Sequence, residues 1–348
     1  MKALIVSPYL DKVGGGERYI FTLSRIISDL GWHTYFAWDD LSVIHETANK
    51  LSLNLGHVGL DPEIKKLYHS KLPASLYFKT RKYDLVFYLS DGSIPLLGGR
   101  RNFLHMQVPF HGVLGRTFSN QLKLRNVERI IVNSRFTKKV IDLEYGVNSK
   151  VVYPPVEFVK PGKKENIILS VGRFDHSINT KKHDLLIRAF QHLSPFLPSW
   201  KLVLAGASLD ERWIRELKRI SGKYPVKILP NVSHPELVNL YRKAKIYWHA
   251  AGWGVDETSE PENTEHFGIS IVEALSANCV PLVVPKGGVR EIITLKELWW
   301  NELDELVKKT QLVSRNYPHF SEKTKAINLS SFSQERFSSE LKKLILVQ

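Results

Sequence analysis

An otherwise regular alternation of short apolar runs and amphipathic stretches is interrupted by Pro154, Pro155, Pro161 and Gly162, and starts again directly afterwards. Proline has no amide donor and a fixed φ, so neither a helix interior nor a central strand runs through such a cluster. The 348 residues exceed what one α/β core usually needs, so a repeated pattern with a break between its copies predicts two domains. The expected boundaries are 1–158 for a first Rossmann-like domain, 159–330 for a second, and 331–348 for a C-terminal helix that closes the second domain or crosses back to the first.

Within each half the period switches between strand and helix. The runs KALIVSPY, HTYFAW, YDLVFYL, NFLHM and ERIIVNS read as strands of the first half. NIILSVG, WKLVLAG, VKILPN, AKIYWHA and CVPLVVP read as parallel strands of the second. Between them lie amphipathic stretches, the first with Ile20, Leu23, Ile27 and Leu30 at helical spacing before Gly31. Ser134 is placed to cap a helix that Gly146 closes. Strands alternating with helices predict α/β domains built on doubly wound parallel sheets, whose ligands bind beyond the carboxyl ends of the strands. Two such domains facing each other would hold a substrate in the cleft between them.

Composition narrows the function classes. Cys279 is the only cysteine, so no disulfide forms within the chain, and its apolar surroundings predict a buried packing thiol. The opening KALIVSPY lacks the long apolar core of a signal peptide, and no apolar run approaches the length of a membrane span. The cytoplasm is the expected location, with the cytoplasmic face of a membrane as the alternative. A formal charge of +14 favours anionic partners. The cations are scattered and match no nucleic-acid module, so no nucleic acid is expected. Lys65, Lys66, Lys79, Arg81 and Lys82 could bring the first domain to an anionic membrane.

Four stretches carry candidate chemistry. Gly14, Gly15 and Gly16 sit between the first strand and its helix, where absent side chains let a ligand approach the backbone. The stretch is neither a dinucleotide fingerprint nor a Walker loop, and a plain turn is the alternative. Arg173 and Lys181 follow a buried strand and could neutralise a diphosphate. In EHFGISIVEAL a helix starting at Gly268 would turn the amides of Gly268, Ile269 and Ser270 toward a phosphate. Glu273 on that helix could accept from ribose hydroxyls, and Glu265 before it could fix sugar hydroxyls. His105 and His111, in FLHMQVPFHG, could bond to a sugar hydroxyl or join a proton relay, His105 being favoured. The insert IYWHAAGWGVDETSEPENTEHFG, with Trp248, His249, Trp253, Asp256 and Glu257, reads as a loop shaping a pocket; its acids lack calcium-loop spacing, and no metal is expected.

Taken together, GGGE, VGRFDHSINTKKHDLLIRAF and EHFGISIVEALSANCVPLVVPKGGVREII resemble the retaining GT-B glycosyltransferases of family GT4, including their mannosyltransferases. The resemblance covers most of the chain and is strongest over residues 167–293. It implies a GT-B fold, with the acceptor against the first domain and the nucleotide sugar in the second. It implies transfer of a hexose, with retention, from a UDP- or GDP-linked donor to a glycan or lipid-linked saccharide, with no cofactor. By the same resemblance Glu265 and Glu273 match the E-x7-E motif, and Arg173 and Lys181 the cations around the diphosphate. Gly15 and Gly16 match the N-terminal glycine turn, and His105 the histidine of an HxP-like segment from which HMQVP departs. A nucleotide-sugar epimerase and a noncatalytic transferase-like subunit are the alternatives.

Overall fold

The computed structural model describes residues 1–12, 14–68, 73–176 and 180–346. Ser177, Ile178 and Asn179, inside the stretch that joins Arg173 to Lys181, lie outside the described residues. The chain divides into two compact units: Met1–Pro155 together with the chain from Gln334 onward, and Val156–Ser333. The division falls inside the proline-rich interruption.

The first unit carries β1 (Lys2–Val6), β2 (His33–Phe36), β3 (Val58–Leu60), β4 (Leu85–Leu89), β5 (Arg101–Met106), β6 (Arg129–Val132) and β7 (Lys150–Val151). They form one sheet in the order β3-β2-β1-β4-β5-β6-β7, every pair parallel. All five residues of β4 are buried, as a strand covered on both faces requires. The edge strands β3 and β7 were not foreseen, because three and two residues are too few to show a period. Helix Arg135–Tyr145 has the ends its sequence predicts. Ser134 accepts a hydrogen bond from the Thr137 amide at 3.0 Å, and Gly146 takes the left-handed conformation at φ 66°.

The second unit carries β8 (Glu165–Val171), β9 (Lys201–Gly206), β10 (Val226–Pro230), β11 (Ala244–His249) and β12 (Val280–Val283). The order β10-β9-β8-β11-β12 is again parallel throughout. Both sheets therefore reverse strand order once, at β1/β4 and at β8/β11, and a doubly wound sheet offers its ligand crevice at that reversal.

The C-terminal helix Gln334–Leu346 packs in the first unit. Phe337 meets Tyr19 edge-to-face at 4.7 Å, and the Arg101 guanidinium donates to the carbonyls of Leu344 and Ile345. Cys279 is fully buried, its thiol pushed up to about 11 by burial, and its one S–H lies within 3.2 Å of two acceptors, the carbonyls of Tyr241 and Ala244. Among the described residues no helix is long and apolar enough to cross a membrane.

Candidate functional site

Lys181, Glu265 and His249 meet at the reversal point of the second sheet. β8 ends at Val171, and a Cβ on the next residue, Gly172, would lie 2.6 Å from Lys181 Cγ. The missing side chain thus lets the lysine lie across the strand end. Its ammonium reaches Glu265 Oε2 at 2.6 Å. His249, the last residue of β11, brings Nε2 to 2.8 Å from the same oxygen. Burial of His249 lowers its pKa, so the ring is neutral at ordinary pH and Nε2–H donates to the carboxylate. Burial would raise the Glu265 carboxyl, but Lys181 foremost and then His249 hold it well below the usual range. Both contacts end on Oε2, and among the described residues none bonds to Oε1.

A helix start follows Glu265 in the chain. Helix Ile269–Ser276 begins after Gly268, whose φ of 112° excludes other residues without strain. The Gly268 carbonyl accepts from the amides of Ile271 and Val272, so the preceding amides point away from the helix, as at any N-terminus. The Tyr247 hydroxyl donates to the Val171 carbonyl at 3.3 Å and is hydrogen-bonded to the Ser270 side chain. Tyr247 is within electrostatic reach of both Glu265 and Glu273. Its ring therefore ties the end of β8 to the helix start between the two glutamates.

Each residue singled out from sequence has a definite place. Glu273 is 9% exposed and its Oε2 accepts from the Tyr241 hydroxyl at 2.9 Å. Arg173 is exposed and makes no ion pair among the described residues. Gly15 and Gly16 form the first turn of helix Gly15–Asp29. A Cβ on Gly16 would come within 2.8 Å of Gln107 Oε1.

Gln107 also bonds His105 Nε2 at 3.0 Å, and His105 Nδ1 donates to the Ile131 carbonyl at 3.0 Å. His105 itself is 0% exposed, stacked on Tyr19 at 4.1 Å, and burial lowers its pKa to about 3. The side chain that can present this histidine's hydrogen bond to the glycine turn is the half-buried Gln107. His111 is 40% exposed and paired with Glu144 at 2.7 Å.

The insert differs from its sequence expectation. Trp248 and His249 are buried strand residues, with Trp248 Nε1 donating to Thr310 at 3.1 Å. Glu257 accepts from the Gly287 amide at 3.0 Å and pairs with Arg290. Only the part after His249 is loop, because AKIYWH has the apolar run of a central strand. His249 is the functional side chain that sequence reasoning left in that loop; its position as the last residue of a switch-point strand is the signal that finds it. Among the described residues no three His, Cys, Asp or Glu side chains gather as metal ligands.

Buried neutral histidines predict an acid-sensitive fold. Burial lowers both His105 and His183, one in each unit, to about 3. Below an unfolded pKa of roughly 6.5 the unfolded imidazole takes up a proton and the folded one does not, so stability falls with falling pH until the folded value is reached. Each unit is expected to lose about 1.4 kcal/mol per pH unit per histidine over that window. Urea unfolding at stepped pH measures the slope, and His105→Gln should flatten it in the first unit; an unchanged slope in that variant would refute the assignment.

Comparison with known proteins adds an independent finding. Residues 156–322 match the family model described as glycosyl transferases group 1. A Dictyostelium discoideum protein named GDP-Man:Man(3)GlcNAc(2)-PP-Dol alpha-1,2-mannosyltransferase is 25% identical over 62% of this chain. The chain spans less than half of that relative, 46% of its length. An uncharacterized glycosyltransferase of Haemophilus influenzae is 24% identical over 97% of both chains. A solved Anabaena structure, a complex with UDP and glucose, superposes over all of both chains with a TM-score of 0.73 at 16% identity.

Proposed function

We propose, from the two doubly wound parallel sheets and from the match of residues 156–322 to the model of glycosyl transferases group 1, that this chain is a GT-B retaining hexosyltransferase using a nucleotide diphosphate sugar. The observation that carries the proposal is the Lys181–Glu265–His249 junction beside the Gly268 helix start, at the strand-order reversal of that domain.

In the proposed reaction the acceptor hydroxyl oxygen bonds to the anomeric carbon on the face from which the diphosphate leaves. The bond from that carbon to the phosphate oxygen breaks, and the hydroxyl proton passes to the departing phosphate. Lys181, Arg173 and the amides of Gly268, Ile269 and Ser270 stabilise the charge that develops on the diphosphate. Glu265 Oε1 orients the donor sugar, and Glu273, steadied by Tyr241, receives the ribose. His105 acts through Gln107 at the glycine turn of Gly15 and Gly16, where the first unit takes the acceptor. The named activity of the Dictyostelium relative supports GDP-mannose as donor and a lipid-linked saccharide as acceptor.

Calorimetric titration with matched UDP-, GDP- and dTDP-linked sugars tests the reading. One donor class is expected to bind selectively, and Glu273→Ala to weaken it by roughly tenfold or more through loss of a charged hydrogen bond. No binding across the panel would overturn the donor site. Conversion of a bound donor into its sugar isomer without acceptor would replace transfer with epimerisation.

A further inference from the structure

The insert at residues 250–264 leaves the candidate site and returns to it. It follows His249 and precedes Glu265, whose side chains meet at 2.8 Å, so whatever fixes the insert also bears on that contact. Two of its acids bond locally. Asp256 accepts from the Thr258 amide and the Ser259 hydroxyl, each at 3.0 Å, and Glu260 accepts from the Asn263 side chain at 2.7 Å. Glu257 instead reaches across to the turn at residues 286–288. Its Oε2 accepts from the Gly287 amide at 3.0 Å, and its Oε1 pairs with Arg290.

The same turn holds the backbone of Glu265. The Gly288 amide donates to the Glu265 carbonyl at 2.8 Å, so successive amides of one turn bind the Glu257 carboxylate and the Glu265 main chain. Gly287 is left-handed at φ 65°, and a turn of two glycines has little preference of its own for one shape. An outside acceptor must therefore fix it. Two further contacts draw insert and turn together: the Lys286 ammonium donates to the Val255 carbonyl, and a Cβ on Gly252 would lie 3.1 Å from Lys286 Cβ. Trp253 ties the insert elsewhere, its indole donating to the Asn301 carbonyl at 2.7 Å.

We infer that Glu257 is a positioning residue for the donor sugar. By holding the Gly287 amide it fixes the turn, and through the Gly288 amide it keeps the Glu265 carboxylate where Lys181 and His249 meet it. Its partner Arg290 is 43% exposed, so solvent screens that ion pair, and the bond to the amide carries the effect. The inference rests on the reading of Glu265 as a contact to the donor sugar.

Calorimetric titration of the full chain with UDP-, GDP- and dTDP-linked sugars and with the free nucleoside diphosphates tests it, because Glu265 is read as touching the sugar and not the diphosphate. Glu257→Ala is expected to weaken the sugar nucleotide that the wild type binds by about tenfold, the effect of misaligning one hydrogen bond to a charged group. The matching nucleoside diphosphate should stay within about twofold of wild type. A general loss of stability would move both ligands together. Glu257→Gln keeps an acceptor for the Gly287 amide and should recover most of the sugar-dependent affinity. Glu257→Asp keeps the charge without the reach, and shows the same selective loss should the alanine variant not fold. Glu260→Ala removes an acid bonded inside the insert and should match the wild type for both ligands. Urea unfolding verifies that each variant is folded at the titration temperature. Equal weakening of both ligands by the Glu257 variants, or none, would overturn the inference while the donor site stood. Wild-type protein that bound no sugar nucleotide of the panel would overturn the donor reading itself, and this inference with it.

Discussion

Lys181→Ala is expected to slow sugar transfer by about two to three orders of magnitude, the usual cost of removing one preorganised group from a developing anionic charge. The lysine is held by its place over Gly172 and by Glu265 at 2.6 Å, so its charge needs no reorganisation when the diphosphate departs. The same change removes the strongest influence holding the Glu265 carboxyl down. Because the folded pKa of Glu265 is depressed, its contribution to stability is present above an unfolded value of roughly 4.3 and is lost as pH falls through the folded value. In the variant the folded value rises toward the unfolded one, so less stability is gained at neutral pH and what remains is lost at a higher pH. The two carboxylate contacts share one oxygen, so Lys181→Ala, Glu265→Gln and the double variant should be non-additive in both stability and rate. Transfer by Lys181→Ala at near wild-type rate, with unchanged donor affinity, would remove the lysine from the mechanism.

Gly287→Ala is expected to damage the same site from behind. Gly287 has a φ of 65°, and a Cβ there would lie 2.1 Å from the Glu265 carbonyl oxygen and 2.7 Å from Thr264 Oγ1. The neighbouring Gly288 amide donates to that carbonyl at 2.8 Å. The KGG turn is therefore packed directly on the backbone that carries Glu265, and the added methyl must push that backbone away. The left-handed conformation alone costs roughly 1–2 kcal/mol for a residue with a side chain, and the clash brings the expected loss to about 2–4 kcal/mol. Transfer should fall by about a hundredfold, since displacement of a reacting group by an ångström has that effect. Gly254→Ala is the control, with a similar φ of 73° but no atom within 4 Å of the added carbon. It should cost only the conformational part. Equal losses for the two variants, measured by urea unfolding, would show that the turn does not press on Glu265.

Much of the architecture was legible because it is dictated locally. Alternating periods, the proline interruption, the Ser134 cap and the Gly146 stop depend on sterics and hydrogen bonds within a few residues. The E-x7-E spacing was also visible, and Gly268 stands between the two glutamates: its left-handed backbone starts the helix that carries Glu273, while Glu265 lies before that helix. What those glutamates touch was not visible. The partners of Glu265 lie 84 and 16 positions away, and the Tyr241 hydroxyl that bonds Glu273 lies 32 away on another helix.

The amino-acid sequence by itself determined two α/β halves on either side of a proline-rich break, because backbone sterics and side-chain period act over short range. Only the tertiary structure decided that His249 joins Lys181 on one Glu265 oxygen, and that His105 is sealed behind Gln107. It also decided that Lys65, Lys79 and Lys82 spend their charge on Asp39, Glu63 and Asp61. Burial and charge pairing depend on which distant segments the sheet order brings together, and no local pattern records that choice.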